Sequence, residues 1–195
     1  MINPVDSNAL KKQFLVAKPF PHLVIDNFMN KNSLFELADA LKDEEFHPKV
    51  SDLFNIYQTN DLVSTNNSSM KIFYDFFKSK EFIGFCQDIT GINFTPDVLD
   101  LQGSIYQDKS FLLCHDDKLQ GRKIAFLLYF SDMDEKSGGA LTLFDTKDGV
   151  PTKVTQRIYP KINRFACFEV SAISYHEVEE VLVDKQRLTI GGWLH

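Results

Sequence analysis

The amino-acid sequence predicts an α+β fold in which a double-stranded β-helix, or jelly roll, is supported by N-terminal helices. Two patterns carry this prediction: apolar residues at helical spacing before about residue 96, and eight short strand-like segments separated by turns after it. A chain of 195 residues can bury one substantial core but is short for two. We therefore expect a single domain over residues 1–195, with a helix-rich support at about 1–96 and a strand-rich core at about 97–195.

The N-terminal half alternates between helical and extended segments. Prolines in KPFPHLVIDNFM disfavour a helix there, whereas apolar residues recur at helical spacing behind a capping residue, Asn30 or Asn32. Gly91 is a typical helix C-cap. The polar stretch 59–69 is predicted to be a surface connection or, alternatively, a lid over a functional site. The predicted elements are a helix near 9–14, extended chain over 18–29, a helix over 34–41, one or two strands around 54–58, and helices over 70–79 and 80–91.

After about residue 97 the pattern changes to short strands with turns between them. The pairs Gly138-Gly139 and Asp148-Gly149 are strong turn signals. Short strands at such regular spacing are typical of a two-sheet jelly roll. The predicted strands lie near 98–106, 110–115, 122–130, 140–144, 153–159, 164–169, 174–183 and 186–194.

Composition limits the classes of function. The net charge of −6 argues against direct nucleic-acid binding, which needs an excess of Lys and Arg. No apolar stretch approaches the ~20 residues of a membrane span, and the N-terminus does not read as a signal peptide, so no membrane association is expected. Three cysteines without close pair spacing favour buried thiols and a reducing compartment, the cytoplasm or nucleus. The oligomeric state stays open.

A His-x-Asp pair, His115 and Asp117, comes just before a strongly apolar segment. In an extended chain the two side chains leave the same face and can bind one ion. A third ligand, His176, follows about sixty residues downstream. Two imidazoles and one carboxylate on one side of an ion leave positions open on the other, which is the facial arrangement of non-haem Fe(II) oxygenases.

Arg187 and Thr189 share one face of the last predicted strand. If that face is buried, the guanidinium needs an anionic partner, and a ligand carboxylate would meet this need. The alternative is an edge-strand arginine in water. Tyr129 could reach the same anion or belong to the core, and Trp193 is either a cavity wall or a core residue.

Several motifs in this order resemble the Fe(II)- and 2-oxoglutarate-dependent dioxygenases, within them the prolyl hydroxylase branch. The segments LLCHDD, GRKIAFLLY, GGALTLF, FEVSAISYHEVEEVL and RLTIGGWLH, with DLFNIYQTNDL upstream, resemble the catalytic domain of the eukaryotic ribosomal prolyl hydroxylases. The likeness runs from about Lys18 to His195. Those proteins carry a second, non-catalytic jelly-roll domain without a counterpart here, which leaves the protein substrate open.

The resemblance implies specific roles for residues of this chain. The implied iron ligands are His115, Asp117 and His176. The implied 2-oxoglutarate-binding residues are Arg187, Tyr129 and, as an additional contact, Thr189. Apolar walls are expected from Leu113, Leu127 and Phe168.

The reaction implied by the resemblance is hydroxylation of a prolyl residue in a protein, with a small-subunit ribosomal protein as the expected substrate. The implied cofactors are Fe(II), 2-oxoglutarate and O2, with ascorbate as an auxiliary reductant. Two alternatives remain: a hydroxylase of a free amino acid or another small molecule, and a non-catalytic metal-binding jelly roll that serves as an interaction module.

Overall fold

Four helices and eleven strands form the part of the chain that the computed structural model describes, residues 1–119 and 121–195. The helices are α1 (Ser7–Val16), α2 (Lys31–Lys42), α3 (Ser68–Lys78) and α4 (Lys80–Thr90). The strands are β1 (His22–Ile25), β2 (His47–Ser51), β3 (Phe54–Gln58), β4 (Leu99–Tyr106), β5 (Phe111–His115), β6 (Ile124–Tyr129), β7 (Leu141–Lys147), β8 (Val150–Ile158), β9 (Phe165–Glu169), β10 (His176–Val178) and β11 (Arg187–Leu194). A short 3-10 helix covers Leu62–Ser64.

Side-chain caps define where the helices begin and end. The Asn30 side chain accepts a hydrogen bond from the Ser33 amide, so Asn30 and not Asn32 caps α2. Gly91 ends α4 with a φ of +76°, the left-handed conformation that glycine adopts without steric penalty.

All eight strands predicted after residue 97 are present. The largest difference lies at 174–183, where only β10 is a strand. The N-terminal half also contributes strands to the sheet, since β1, β2 and β3 all pair within it.

The strands form one antiparallel sheet that folds back on itself. Its order is β1-β9-β6-β11-β4-β3-β5-β10-β7-β8, and β2 pairs with β3 outside this path. The two halves face each other, because the ring centroid of Phe168 on β9 lies 4.4 Å from that of His176 on β10. The jelly-roll prediction is therefore confirmed.

The helices cover the outer face of the half-sheet that contains β6 and β9. Phe126 and Phe165 project outwards into a cluster with Phe77 and Phe82, whose ring centroids lie 4.9 to 6.2 Å apart. The inner face of β6 carries the smaller Ala125 and is free to line a cavity. No helix in the described residues is long and apolar enough to cross a bilayer.

Candidate metal centre and anion pocket

Three of the predicted site residues converge at one point between the two halves of the sheet. His176 on β10 lies directly opposite His115 on β5 in the strand register. Asp117 lies between them: its Oδ1 is 3.4 Å from His115 Nε2, and its Oδ2 is 3.4 Å from His176 Nε2. One ligand atom from each residue falls within 4.8 Å of the others, so the group could hold a metal ion.

The two-residue spacing of His115 and Asp117 predicted that both side chains leave one face of an extended chain. The structure brings them together in a different way. The strand ends at His115, and Asp117 has a φ of +59°, so a left-handed residue turns its carboxylate towards the imidazole. A register shift between β5 and β10 also places Leu112 opposite Val178. Leu112 therefore lines the cavity, and the expectation for Leu113 was wrong, since that side chain is 45% exposed.

Each histidine is oriented by a carbonyl oxygen of its own chain two residues earlier. Nδ1 of His115 donates to the carbonyl of Leu113, and Nδ1 of His176 donates to that of Ser174, both at 2.8 Å. Because a carbonyl only accepts, Nδ1 carries the proton and Nε2 presents its lone pair to the centre. The Ser174 hydroxyl also donates to the carbonyl of Asp116 at 3.0 Å, which ties the two ligand-bearing segments together.

The electrostatics favour a cation at this point. Burial raises the pKa of the Asp117 carboxyl, but hydrogen bonds and charge from His115 and His176 outweigh it and hold this pKa well below its usual range. Burial lowers the pKa of His115, but the hydrogen bond and charge of Asp117 raise this pKa by more, so the net shift is upward. A divalent cation would bind the carboxylate and the two Nε2 lone pairs, since metal ligands must be deprotonated.

A second group of buried polar atoms lies around Arg187. Its side chain is fully buried, and its Nε donates to the carbonyl of Gly139 at 2.8 Å. Within the described residues, four atoms here have no hydrogen-bond partner: Nη1 and Nη2 of Arg187, the Tyr129 hydroxyl and Oγ1 of Thr189. Thr189 lies directly opposite Tyr129 in the strand register. The alternative of an arginine in water was wrong, and the unpaired donors fit a bound carboxylate.

A cavity of about 420 Å³ extends from the metal-ligand candidates, and its lining does not include Arg187, Tyr129 or Thr189. It is lined by the three metal-ligand candidates and by apolar side chains that include Leu127, Leu141 and Phe168. Tyr106 also lines it, and the Tyr106 ring centroid lies 4.7 Å from the Arg187 guanidinium. Tyr106 therefore borders both the cavity and the guanidinium.

Sequence reasoning missed Tyr106 and Arg122. Tyr106 pairs with Arg187 across β4 and β11, and burial raises its pKa to about 12. Period-two alternation places Gln102, Ser104 and Tyr106 on one face, but only the strand pairing shows that this face is the cavity. Trp193 is a cavity wall, which resolves the alternative that the sequence left open.

The polar stretch 59–69 contributes no side chain to the cavity lining in the described residues. Instead Asn67 caps α3, with its side chain accepting from the amides of Ser69 and Met70. The hairpin of β2 and β3 lies at the cavity, with Lys49 and Phe54 among the lining residues.

Comparison with known proteins agrees with this geometry. The family model described as the 2OG-Fe(II) oxygenase superfamily matches residues 101–195, which include all six predicted site residues. Residues 101–195 belong to the 2OG-Fe(II) oxygenase superfamily. The resemblance inferred from the motifs is thereby confirmed, and Fe(II) and 2-oxoglutarate are the two cofactors for which the superfamily is named.

Curated relatives to which this chain is similar are prolyl hydroxylases. Prolyl 3-hydroxylase OGFOD1 of Mus musculus is 35% identical over 185 residues, which cover 91% of this chain and 33% of the relative. The Xenopus laevis protein of the same name is 37% identical over 181 residues, with 91% and 35% covered. Prolyl 3,4-dihydroxylase OGFOD1 of Ostreococcus tauri is 33% identical over 195 residues, with 91% and 38% covered. The chain thus spans about a third of the length of these curated relatives.

Solved oxygenase structures share the fold. A prolyl-4-hydroxylase from Pseudomonas putida has a TM-score of 0.74 at 16% identity, covering 97% of this chain and 98% of that one. The epimerase SnoN from nogalamycin biosynthesis has a TM-score of 0.73 at 12% identity, covering 97% and 83%. Since a hydroxylase and an epimerase match equally well, the fold alone does not decide the reaction.

Proposed function

We propose that this chain is the catalytic domain of an Fe(II)- and 2-oxoglutarate-dependent dioxygenase that hydroxylates a prolyl residue of a protein. The observation that carries the proposal is the convergence of His115, Asp117 and His176 beside a buried guanidinium without an anionic partner among the described residues. The similarity to curated prolyl hydroxylases over 91% of the chain supports the choice of reaction.

In this proposal the three residues hold Fe(II) through the two Nε2 atoms and a carboxylate oxygen. Bound iron with 2-oxoglutarate supplies the O2-dependent oxidation of an unactivated C–H bond. Apolar side chains of the cavity lining, including Phe168 and Leu141, would exclude water and position the substrate. No side chain is assigned as a general base.

The proposed 2-oxoglutarate site uses the four unpaired atoms around Arg187. Nη1 and Nη2 would bind the carboxylate remote from the metal, and the hydroxyls of Tyr129 and Thr189 would donate to the same group. This assignment supplies partners for all four of these atoms. A non-catalytic interaction module offers no reason to keep a buried arginine in this state.

A protein substrate is favoured by the curated relatives, and a small-subunit ribosomal protein is our proposed target. The alternative is that the substrate is a free amino acid or another small molecule. The fold shared with SnoN is compatible with this alternative, but at 12% identity the likeness concerns the fold alone. We also propose a location in the cytoplasm or nucleus, supported by the free thiols Cys86, Cys114 and Cys167 in the described residues. One sheet that includes strands from both halves supports a single catalytic domain.

The test incubates the chain with Fe(II), 2-oxoglutarate, ascorbate and O2 and measures succinate, with and without proline-containing peptides of small-subunit ribosomal proteins. We expect peptide-dependent succinate and a mass increase of one oxygen on proline. His115→Ala is expected to abolish both, because the metal loses a ligand. His47→Ala is the matched control, since this partly exposed histidine lies outside the cavity lining.

Each outcome of this experiment separates the alternatives. Succinate that rises with free amino acids but with no peptide favours the small-molecule hydroxylase. Absence of succinate together with absence of metal binding contradicts the oxygenase proposal. Wild-type turnover in His115→Ala contradicts the assignment of this residue as a ligand.

A further inference from the structure

The single tryptophan of the chain directs its hydrogen-bond donor at a metal-ligand candidate. Nε1 of Trp193 donates to Oδ2 of Asp117 at 2.9 Å. The tryptophan lies on the face of β11 that also carries Arg187 and Thr189, and its ring lines the cavity. The indole therefore belongs to the wall of the site, and its N–H contacts the carboxylate.

A stacked guanidinium fixes the position of this indole. The Arg122 guanidinium carbon lies 3.7 Å from the ring centroid of Trp193. Nε and Nη2 of Arg122 donate to Oδ2 of Asp100 at 3.2 and 3.1 Å, and Asp100 lies opposite Trp193 in the register of β4 and β11. The strand pairing thus determines where the arginine lies, and the arginine covers one face of the indole.

Asp117 needs such support more than the histidines do. Each histidine is on a strand and has its Nδ1 bound by a carbonyl, whereas Asp117 follows the end of β5 in a left-handed conformation. Its carboxylate can rotate and offers two oxygens to a metal. The indole hydrogen bond on Oδ2 restrains that rotation, and Oδ1 also lies 4.0 Å from Nη1 of Arg122.

We propose that Trp193 is a positioning residue whose indole N–H holds the Asp117 carboxylate in the orientation that binds the metal, and that Arg122 holds the indole in place. This inference rests on the proposed metal centre of His115, Asp117 and His176. Partners that orient a ligating side chain typically change metal affinity by 10- to 100-fold when removed. A tryptophan that only fills space would be replaced by phenylalanine without this loss.

The first experiment measures Mn(II) binding from the electron paramagnetic resonance signal of the free ion. Trp193→Phe keeps an aromatic ring beneath Arg122 but removes the donor, and we expect Mn(II) to bind about 10-fold weaker or more. Phe54→Leu is the matched control, because it also alters an aromatic wall of the cavity but is expected to leave the Mn(II) affinity within twofold of wild type. Thermal unfolding of each variant reports whether it is folded.

The second measurement needs no variant of the tryptophan. The chain has one tryptophan, so its indole N–H gives one identifiable resonance in a ¹H–¹⁵N spectrum. We expect slow exchange of this proton with water, a shift of the resonance on addition of Zn(II), and faster exchange in Arg122→Met, where the stacked guanidinium is absent.

The outcomes separate this inference from the proposed function. If the wild-type chain does not bind Mn(II), the metal centre itself is wrong. If the wild type binds Mn(II) and Trp193→Phe binds within twofold of it, the metal centre stands and the positioning role is overturned. If Trp193→Phe does not fold, the indole resonance decides, and exchange as fast as in a solvent-exposed indole would overturn the role.

Discussion

Replacing Arg187 by methionine should separate binding of the cosubstrate from stability of the fold. The guanidinium is fully buried, and two of its nitrogens have no partner within the described residues. Methionine retains most of the apolar contact and removes the charge. We therefore expect much weaker binding of 2-oxoglutarate with little change in the stability of the ligand-free chain.

The expected loss of affinity follows from the two unpaired nitrogens. Hydrogen bonds to charged groups contribute about 1.5–3 kcal/mol each, so two of them correspond to at least about 3 kcal/mol. At about 1.4 kcal/mol per factor of ten, Arg187→Met should bind 2-oxoglutarate about 150-fold more weakly. In the ligand-free chain the substitution removes two unsatisfied buried donors but also the Nε bond to Gly139, and these changes, each about 1 kcal/mol or more, oppose each other.

Thermal unfolding in the presence of Mn(II) measures both quantities. At a concentration 100 times its Kd, 2-oxoglutarate should stabilise the wild type by about 2.7 kcal/mol, which raises the Tm by about 5–10 °C for a chain of this size. At the same concentration the variant should gain only about 0.3 kcal/mol, or about 1 °C. Lys49→Met, which removes a cation that lines the cavity, is the matched control and should keep the full shift.

Two results would refute this reasoning. A variant that keeps the wild-type shift in Tm would show that the guanidinium does not bind the cosubstrate. A ligand-free variant destabilised by about 3 kcal/mol or more would show that Arg187 has structural partners and is not an unpaired cation.

Two further predictions concern the support of the site and a surface ion pair. Gly139 has a φ of +70°, and an added Cβ would lie 3.2 Å from Cδ of Arg187. Gly139→Ala should therefore lower the Tm and reduce the increase in Tm caused by 2-oxoglutarate. An unchanged increase would contradict this prediction. A hydrogen bond from Arg164, with help from Lys161, lowers the pKa of Asp26 to about 2. The resulting stabilisation is present above about pH 4 and is lost as the pH falls towards 2. Urea unfolding should therefore show Asp26→Asn less stable than wild type by about 1 kcal/mol or less at pH 7, with only a small part of this difference left at pH 2. A difference at pH 2 as large as that at pH 7 would rule out the ion pair as its source.

Much of the fold could be predicted from the sequence because local patterns determine it. Strands such as Ile124–Tyr129 are runs of apolar residues that are buried on both faces, and Asn30 and Gly91 are capping residues with side-chain and backbone preferences of their own. The residue types of the candidate metal centre could also be predicted, because a His-x-Asp pair and a histidine downstream are visible in the sequence alone.

The tertiary structure decided those features of the site that local sequence patterns do not predict. Asp117 reaches His115 through a left-handed backbone that alternation along a strand does not predict, and the register shift between β5 and β10 turns Leu112 and not Leu113 inwards. Such irregularities depend on partner strands and not on the segment itself.

By itself, then, the sequence determined which side chains could bind a metal and an anion and, except for Asp117, on which strands they lie. That Arg187 is buried without an anionic partner in the described residues, beside Tyr106, was decided only by pairing β11 with β4. The same pairing brings Trp193 and Arg122 to Asp117. The physical reason is that burial, unpaired polar atoms and contacts between distant residues arise from packing between strands, whereas periodicity and residue type are properties of a single segment.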